Sequence, residues 1–233
     1  MKNVRLYCCT INYFKVLDVL PDYILPVGLG NNNFPENWLT EKKGENISSL
    51  NPYYAEFTMF YWIWKNKLSD LGENDFIGTC QHRWLWLNEF YQKKQKFSFG
   101  SLYSKLLNPQ NEIFEKNDLV HLNPHFFSNI NLKEDFRDCH DIEFLMESLN
   151  YLPQNEKKGF EEHLEGNAIY PNNMFITKVK YFKEYCTLIF PWLEKCYKFG
   201  LDKNLYNGYN KRLIAFLMER FSSYWFQRFK NKN

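Results

Sequence analysis

The sequence predicts an α/β fold built on a mixed or largely parallel sheet. Short apolar runs closed by turn residues alternate with longer helix-like segments, the pattern of buried strands joined by crossover helices. A central run, residues 76–80 (FIGTC), is followed at once by Gln81, His82 and Arg83. Open α/β sheets bind ligands beyond the carboxyl ends of their strands, so this is where a site is expected. The 233 residues show no repeat and no low-complexity linker, and read as one domain.

Residues 4–9 are apolar, include Val, Leu and Tyr, and read as the first buried strand. Residues 21–30 read as a loop containing an apolar run at 24–27, and residues 31–49 as a polar surface loop. A helix is expected from Tyr53 to about Asn66, with Asn51 as N-cap and Pro52 at the first helical position, where its missing N–H would be unpaired anyway. It is apolar nearly all round, so it should be buried. Thr58, Tyr61, Trp62 and Lys65 share one face, and Lys65 suits either the terminal carbonyls or a ligand anion. Further on, 102–107 reads as helix, 118–122 as a short strand, 138–151 as helix and 174–177 as strand. Helices over 179–199, with a kink expected at Pro191, and over 210–229 complete the chain.

Composition excludes several classes. With 29 basic and 27 acidic residues the net charge is +2, too balanced for a nucleic-acid binder. Six scattered cysteines form no CxxC pair, which argues for reduced thiols rather than a disulfide framework or zinc ribbon. The start carries no signal-peptide run and no stretch is long enough to span a membrane, so a cytoplasmic protein is expected. Aromatic residues make up 19%, which suits either a core filled with rings or rings that stack on sugars and bases. His121 and His125 have metal-like spacing, but Asn123-Pro124 between them breaks any helix. Gly28-Leu29-Gly30 is too short for a dinucleotide fingerprint.

Five blocks carry a family resemblance. Gly44-Glu45-Asn46-Ile47-Ser48 is followed by Asn51-Pro52-Tyr53-Tyr54-Ala55-Glu56-Phe57-Thr58 and Tyr61-Trp62-Ile63-Trp64-Lys65-Asn66. Gly78 to Trp86 follows, then Asp118-Leu119-Val120, then Tyr170 to Ile176, and finally Met218-Glu219-Arg220-Phe221. In that order they resemble the bacterial DUF4422 family. The resemblance implies a GT-A-like glycosyltransferase of capsule, lipopolysaccharide or exopolysaccharide synthesis. The donor it implies is UDP-galactofuranose and the acceptor a glycan or lipid-linked glycan. Where the family pattern has His-Tyr-Arg-Arg, this chain has Gln81, His82, Arg83 and Trp84, and the family's early Thr-His-Lys is Thr10-Ile11-Asn12. These departures leave the donor open, and with it a second reading: a non-catalytic nucleotide-sugar or carbohydrate-binding module.

Glycosyl transfer must stabilise a leaving diphosphate and deprotonate an acceptor hydroxyl. No Asp-x-Asp follows the central strand, so no metal or other cofactor is expected and Arg83, helped by His82 or Lys65, would take the phosphate charge. A structural ion pair is the alternative for Arg83. Candidate donor contacts are Thr10, Gly28, Asn46, Ser48, Lys65, Gln81, His82 and Arg83. Asp141 and Glu219 are candidate bases; the alternatives are an N-cap for Asp141 and an ion pair for Glu219. Glu56 is either a satisfied core carboxylate or a ligand contact. Asn172, Asn173 and Arg220 are candidate acceptor contacts, with plain turn residues as the alternative for the two asparagines. The C-terminal helix interleaves apolar residues with Lys211, Arg212, Arg220 and Arg228, and could rest on an anionic membrane or pack on the core.

Overall fold

A computed structural model describes residues 3–88 and 102–230. Its centre is a six-stranded mixed sheet in the order β3-β2-β1-β4-β8-β5. The strands are β1 (Val4–Thr10), β2 (Ile24–Gly28), β3 (Leu39–Thr40), β4 (Phe76–Gln81), β5 (Leu119–His121) and β8 (Phe175–Lys178). β3, β2, β1 and β4 run parallel, while β8 is antiparallel to both β4 and β5. A two-stranded ribbon pairs β6 (His125–Phe126) with β7 (Ala168–Ile169).

Side chains alternate across the sheet with the two-residue period of a strand. Tyr7, Cys9, Ile77 and Phe175 face one core; Leu6, Cys8, Phe76, Cys80 and Ile176 face the other. Gly78 lies between Leu6 and Ile176, and a Cβ there would come within 2.7–2.9 Å of both. Glycine therefore lets three central strands close up at this point.

The first core is covered by helices α1 (Asn51–Tyr54), α2 (Phe57–Asn66), α4 (Leu132–Cys139), α5 (Ile142–Asn150), α6 (Gln154–Leu164), α7 (Val179–Asp202) and α8 (Leu213–Lys230). The second is covered by the 3₁₀ turn Lys15–Val19, Trp38, Trp86, Leu106, Leu107 and the short α3 (Ile113–Lys116). Most of the rings serve the first core: Phe57, Phe60, Phe160, Phe182, Tyr185, Trp192, Phe221 and Trp225 are all buried in it. Some polar tips are met within it: Trp192 Nε1 donates to the Ser148 carbonyl at 2.7 Å and Tyr54 Oη to the Leu193 carbonyl at 3.1 Å.

Several expectations are corrected. Residues 24–27 belong to strand β2 rather than a loop. The 31–49 segment is no mere surface loop: it supplies β3 and the buried Trp38 and Glu41. The helix expected from 53 to 66 is two helices, because Ala55 takes φ +48° and breaks the chain. Asn51 is not its N-cap; its amide instead donates to the Ala55 carbonyl and Thr58 Oγ1, both at 3.0 Å. The stretch expected to be helical over 102–107 is helical only at 102–103; Leu106 forms an extended bridge with Leu87. The helix expected over 138–151 is split, residues 138–139 ending α4 and the rest forming α5 from Ile142, while most of α4 and all of α6 arise from segments to which no helix was assigned. The last long pair forms, α7 running through Pro191 as one helix to Asp202 and α8 starting at Leu213, since 208–212 is a 3₁₀ turn. Leu213, Ile214, Leu217, Phe221 and Trp225 of α8 are fully buried, so its apolar face belongs to the core and not to a membrane. Among the described residues no helix is long and apolar enough to cross a membrane.

Candidate active site

Strand order changes direction at β1: β2 lies on one side of it and β4 on the other. Such a switch point leaves a crevice at the carboxyl ends of the two strands. A cleft of about 310 Å³ opens there. It is lined by Cys9, Thr10 and Ile11 after β1, Leu29 after β2, and Gln81, His82 and Arg83 after β4. The α1–α2 break closes it with Asn51, Pro52, Ala55 and Glu56, and the 3₁₀ turn Gly208–Arg212 adds Arg212. The volume suits a small ligand. A larger depression, about 540 Å³, is lined by Asn74, Asp75 and Lys178. It lies at the opposite end of the sheet, before β4 and after the antiparallel β8, where no strand switch occurs.

The turn after β4 is held by its own backbone. Gln81 N–H donates to the Trp84 carbonyl at 3.1 Å and Trp84 N–H to the Gln81 carbonyl at 2.9 Å. His82 N–H donates to the Cys9 carbonyl at 3.2 Å, which ties β4 to β1 beyond the strand ends. The His82 ring stacks on Phe14 at 4.4 Å. Burial, together with the neighbouring Arg83 charge, pushes its pKa below the usual histidine value, so it favours the neutral ring. Arg83 is exposed and makes no ion pair with any described residue. Thr10 Oγ1 donates to the Asn12 carbonyl at 2.7 Å, closing the turn that follows β1.

Behind the cleft, residues 171–173 form a turn in which Asn172 has φ +68° and Asn173 φ +49°. Asparagine tolerates this left-handed region better than most residues. Gln81 Nε2 donates to the Asn172 carbonyl at 3.2 Å, and Asn172 N–H donates to Glu219 Oε1 at 2.7 Å. Asn173 Nδ2 donates to Glu56 Oε1 at 2.8 Å. Glu56 Oε2 lies 3.8 Å from Arg212 Nη2. Glu219 is half-buried, and desolvation raises its pKa despite the Asn172 amide and the nearby Arg220.

The expected site residues thus divide. Thr10, Gln81, His82 and Arg83 line one cleft, and Asn172, Asn173 and Glu219 form the scaffold behind it. The others lie elsewhere, each held by a local partner. Lys65 sits at the far end of α2, paired with Glu45 at 3.3 Å and lying over the Trp64 ring. The Asn46 side-chain oxygen accepts from Ser48 N–H and Oγ–H at 3.2 and 2.8 Å, a local Asx turn. Gly28 packs under Phe34, whose ring leaves no room for a Cβ. Asp141 is the N-cap of α5, accepting from Phe144 N–H at 2.8 Å. Arg220 is buried against Asp135 and donates to the Phe216 carbonyl at 2.9 Å.

Two cleft residues lay outside the candidate set. In the sequence Glu56 reads as either a satisfied core carboxylate or a ligand contact, without a catalytic role, and Arg212 as one basic residue among several on the last helix. Nothing local in the sequence distinguishes Arg212; the contact with Glu56 that singles it out is tertiary. Among the described residues no three His, Cys, Asp or Glu side chains gather as a metal site, and all six cysteines are free thiols.

Comparison with solved structures finds the same fold in the apo structure of WbbM, a bifunctional glycosyltransferase, with a TM-score of 0.74 and 19% sequence identity. The match covers 100% of this chain and 43% of that one, so the chain spans less than half of WbbM. Comparison with curated proteins gives no match. A family profile described as a domain of unknown function, DUF4422, matches residues 6–232, and the chain belongs to that family.

Proposed function

We propose that the chain is a glycosyltransferase that moves a sugar from a nucleotide diphosphate donor to a glycan acceptor. The observation that carries this reading is the cleft at the β1–β4 switch point, edged by Arg83, which has no ion-pair partner among the described residues, in a fold shared with a glycosyltransferase. A guanidinium presents a fixed charge and a planar fork that matches phosphate oxygens. Arg83 would offset the charge that builds on the diphosphate as the glycosidic bond breaks. Arg212 faces the same space and adds a second cation. The turn after β4 and the Gln81–Asn172 hydrogen bond hold this wall in place before the ligand arrives, so little reorganisation is needed.

On this reading the donor is a UDP-sugar, UDP-galactofuranose being the first to try. The acceptor is a growing surface glycan of the capsule or lipopolysaccharide type, at the cytoplasmic side of the membrane. The reaction inverts the anomeric centre and uses arginine rather than a metal ion against the diphosphate.

Titration calorimetry with UDP-galactofuranose, UDP-galactose and UDP-N-acetylglucosamine, in EDTA and again in manganese, tests this. One UDP-sugar should bind equally well in both. Arg83→Ala should reduce UDP release with acceptor present by about 100-fold or more while leaving the unfolding midpoint unchanged. Binding that requires manganese would overturn the arginine mechanism. Binding without turnover across many acceptors would leave a carbohydrate- or nucleotide-binding module, and no binding would reject the transferase.

A further inference from the structure

We propose that Glu56 is the base that takes the proton from the acceptor hydroxyl, and that Arg212 restrains it until a diphosphate enters the cleft. The assignment rests on the transferase reading above. Glu56 is the carboxylate among the residues that line the cleft. The other groups there able to take a proton are less suited. The Cys9 thiol is pushed well above its usual range by burial. His82 is stacked on Phe14 beside Arg83, on the wall assigned to phosphate, and that neighbouring charge weakens it as a base.

The two oxygens of Glu56 are treated differently. Oε1 is tied to Asn173 Nδ2 at 2.8 Å. Asn173 is itself buried, and its Oδ1 accepts from Ser222 Oγ at 3.3 Å. That anchor fixes the plane of the carboxylate. Among the described residues Oε2 meets only Arg212, and 3.8 Å is too long for a hydrogen bond. Glu56 is 12% exposed and Arg212 55%, so the carboxylate is held in place while the guanidinium stands in solvent on a short 3₁₀ turn. A diphosphate offers Arg212 two negative groups and closer geometry than Glu56 does. Arg212 would move to it and leave Oε2 free.

The backbone beside Glu56 is strained in a way that needs an explanation. Ala55 has φ +48° and ψ −128°, which an L-residue avoids. The conformation is held by several hydrogen bonds. Ala55 N–H donates to the Asn51 carbonyl at 2.9 Å. The Ala55 carbonyl accepts from Asn51 Nδ2 at 3.0 Å and Thr58 Oγ1 at 2.9 Å. A non-glycine residue locked there, at the wall of a cleft, is the kind of strain that marks a positioned functional group. The break places Glu56, the residue before α2, on the wall of the cleft.

The step balances without a further reactant. The acceptor oxygen forms a bond to the anomeric carbon as its proton passes to Glu56 Oε2. The bond from that carbon to the diphosphate breaks, and its electron pair leaves with the nucleoside diphosphate, whose charge is met by Arg83 and Arg212. Glu56 then returns the proton to solvent.

The experiment compares UDP binding by calorimetry with UDP release from the bound UDP-sugar in the presence of synthetic galactoside acceptors. Glu56→Gln keeps the bond from Asn173 but cannot take a proton. It should lose at least about 100-fold in turnover, yet bind UDP as well as the wild type or better, because Arg212 is released. Arg212→Ala should weaken UDP binding. Glu56→Gln within a few-fold of wild-type turnover would overturn the proposal, as would loss of UDP binding together with turnover, which would make Glu56 a purely structural residue. Should Glu56→Gln fail to fold, Glu56→Asp moves the carboxylate back by one methylene; a large loss of turnover with UDP binding kept supports the base, and full turnover overturns it. Wild-type protein that binds no UDP would instead reject the transferase reading itself.

Discussion

The helical layer and the cleft treat charge in opposite ways. In the helical layer the buried ions are matched with each other. Arg220 is buried against Asp135, with 4% and 12% of their side chains exposed, and it also reaches the Phe216 carbonyl. Arg228 pairs with Glu156, which also accepts from Tyr224 Oη at 3.2 Å. At the cleft the matching is left incomplete. Arg83 has no partner among the described residues, and Arg212 and Glu56 stand 3.8 Å apart. Burying an unpaired ion is costly, so a fold pairs those it encloses. Cations left without partners at a strand switch point are available to a ligand.

This contrast can be broken from either side. The largest effect on stability is expected from Arg220→Met, which leaves Asp135 buried without its cation and should cost about 3–5 kcal/mol in urea unfolding. The same protein, below its unfolding transition, should still bind UDP. Loss of UDP binding from a folded Arg220→Met protein would mean that the layer and the cleft are not separate. Arg83→Ala is the mirror case, with function lost and stability kept.

A smaller effect concerns His163 on α6. It is buried, its Nε2 has no hydrogen-bond partner among the described residues, and burial pushes its pKa down to about 4. The native state therefore leaves this ring neutral down to about 4, while the unfolded chain protonates it below about 6.5. The unfolded state binds more protons in that window, so stability falls as the pH drops, with a slope approaching about 1.4 kcal/mol per pH unit. His163→Gln should flatten that part of the stability curve measured from pH 7 to pH 4.5; an unchanged slope would show that His163 is not its source.

The smallest effect sharpens the boundary of the site. Asp141→Ala removes an N-cap and should cost about 1 kcal/mol with no change in UDP release. A large loss of turnover in a folded Asp141→Ala protein would return Asp141 to the reaction.

Much of this was legible in the sequence where the chemistry is local. Residues 76–81 form the central strand, and the polar turn after it lines the cleft, as hydrophobic patterning implied. Asp141 caps the helix that an Asp before an apolar run suggests. The signals missed were also local. Asn131 and Glu134 form a reciprocal capping box at the start of α4, the Asn-x-x-Glu pattern of a helix beginning. The run at 24–27 contains Pro26, which argues against an interior strand. β3 pairs only with Val27 and Gly28, so β2 is an edge at Pro26, where a proline is tolerated.

What the sequence determined by itself is the first and central strands, the two long C-terminal helices, the position of the turn after β4 and the Asp141 cap of α5. These depend on periodicity and on hydrogen bonds between near neighbours in the chain. Only the tertiary structure decided which charges are matched and which are left for a ligand. Glu56 meets Asn173 across 117 positions of sequence, and Asp135 meets Arg220 across 85. An arginine in the sequence has the same chemistry whether it ends in the core or at a cleft. Its role is set by the opposite charge that long-range packing brings within reach or keeps away.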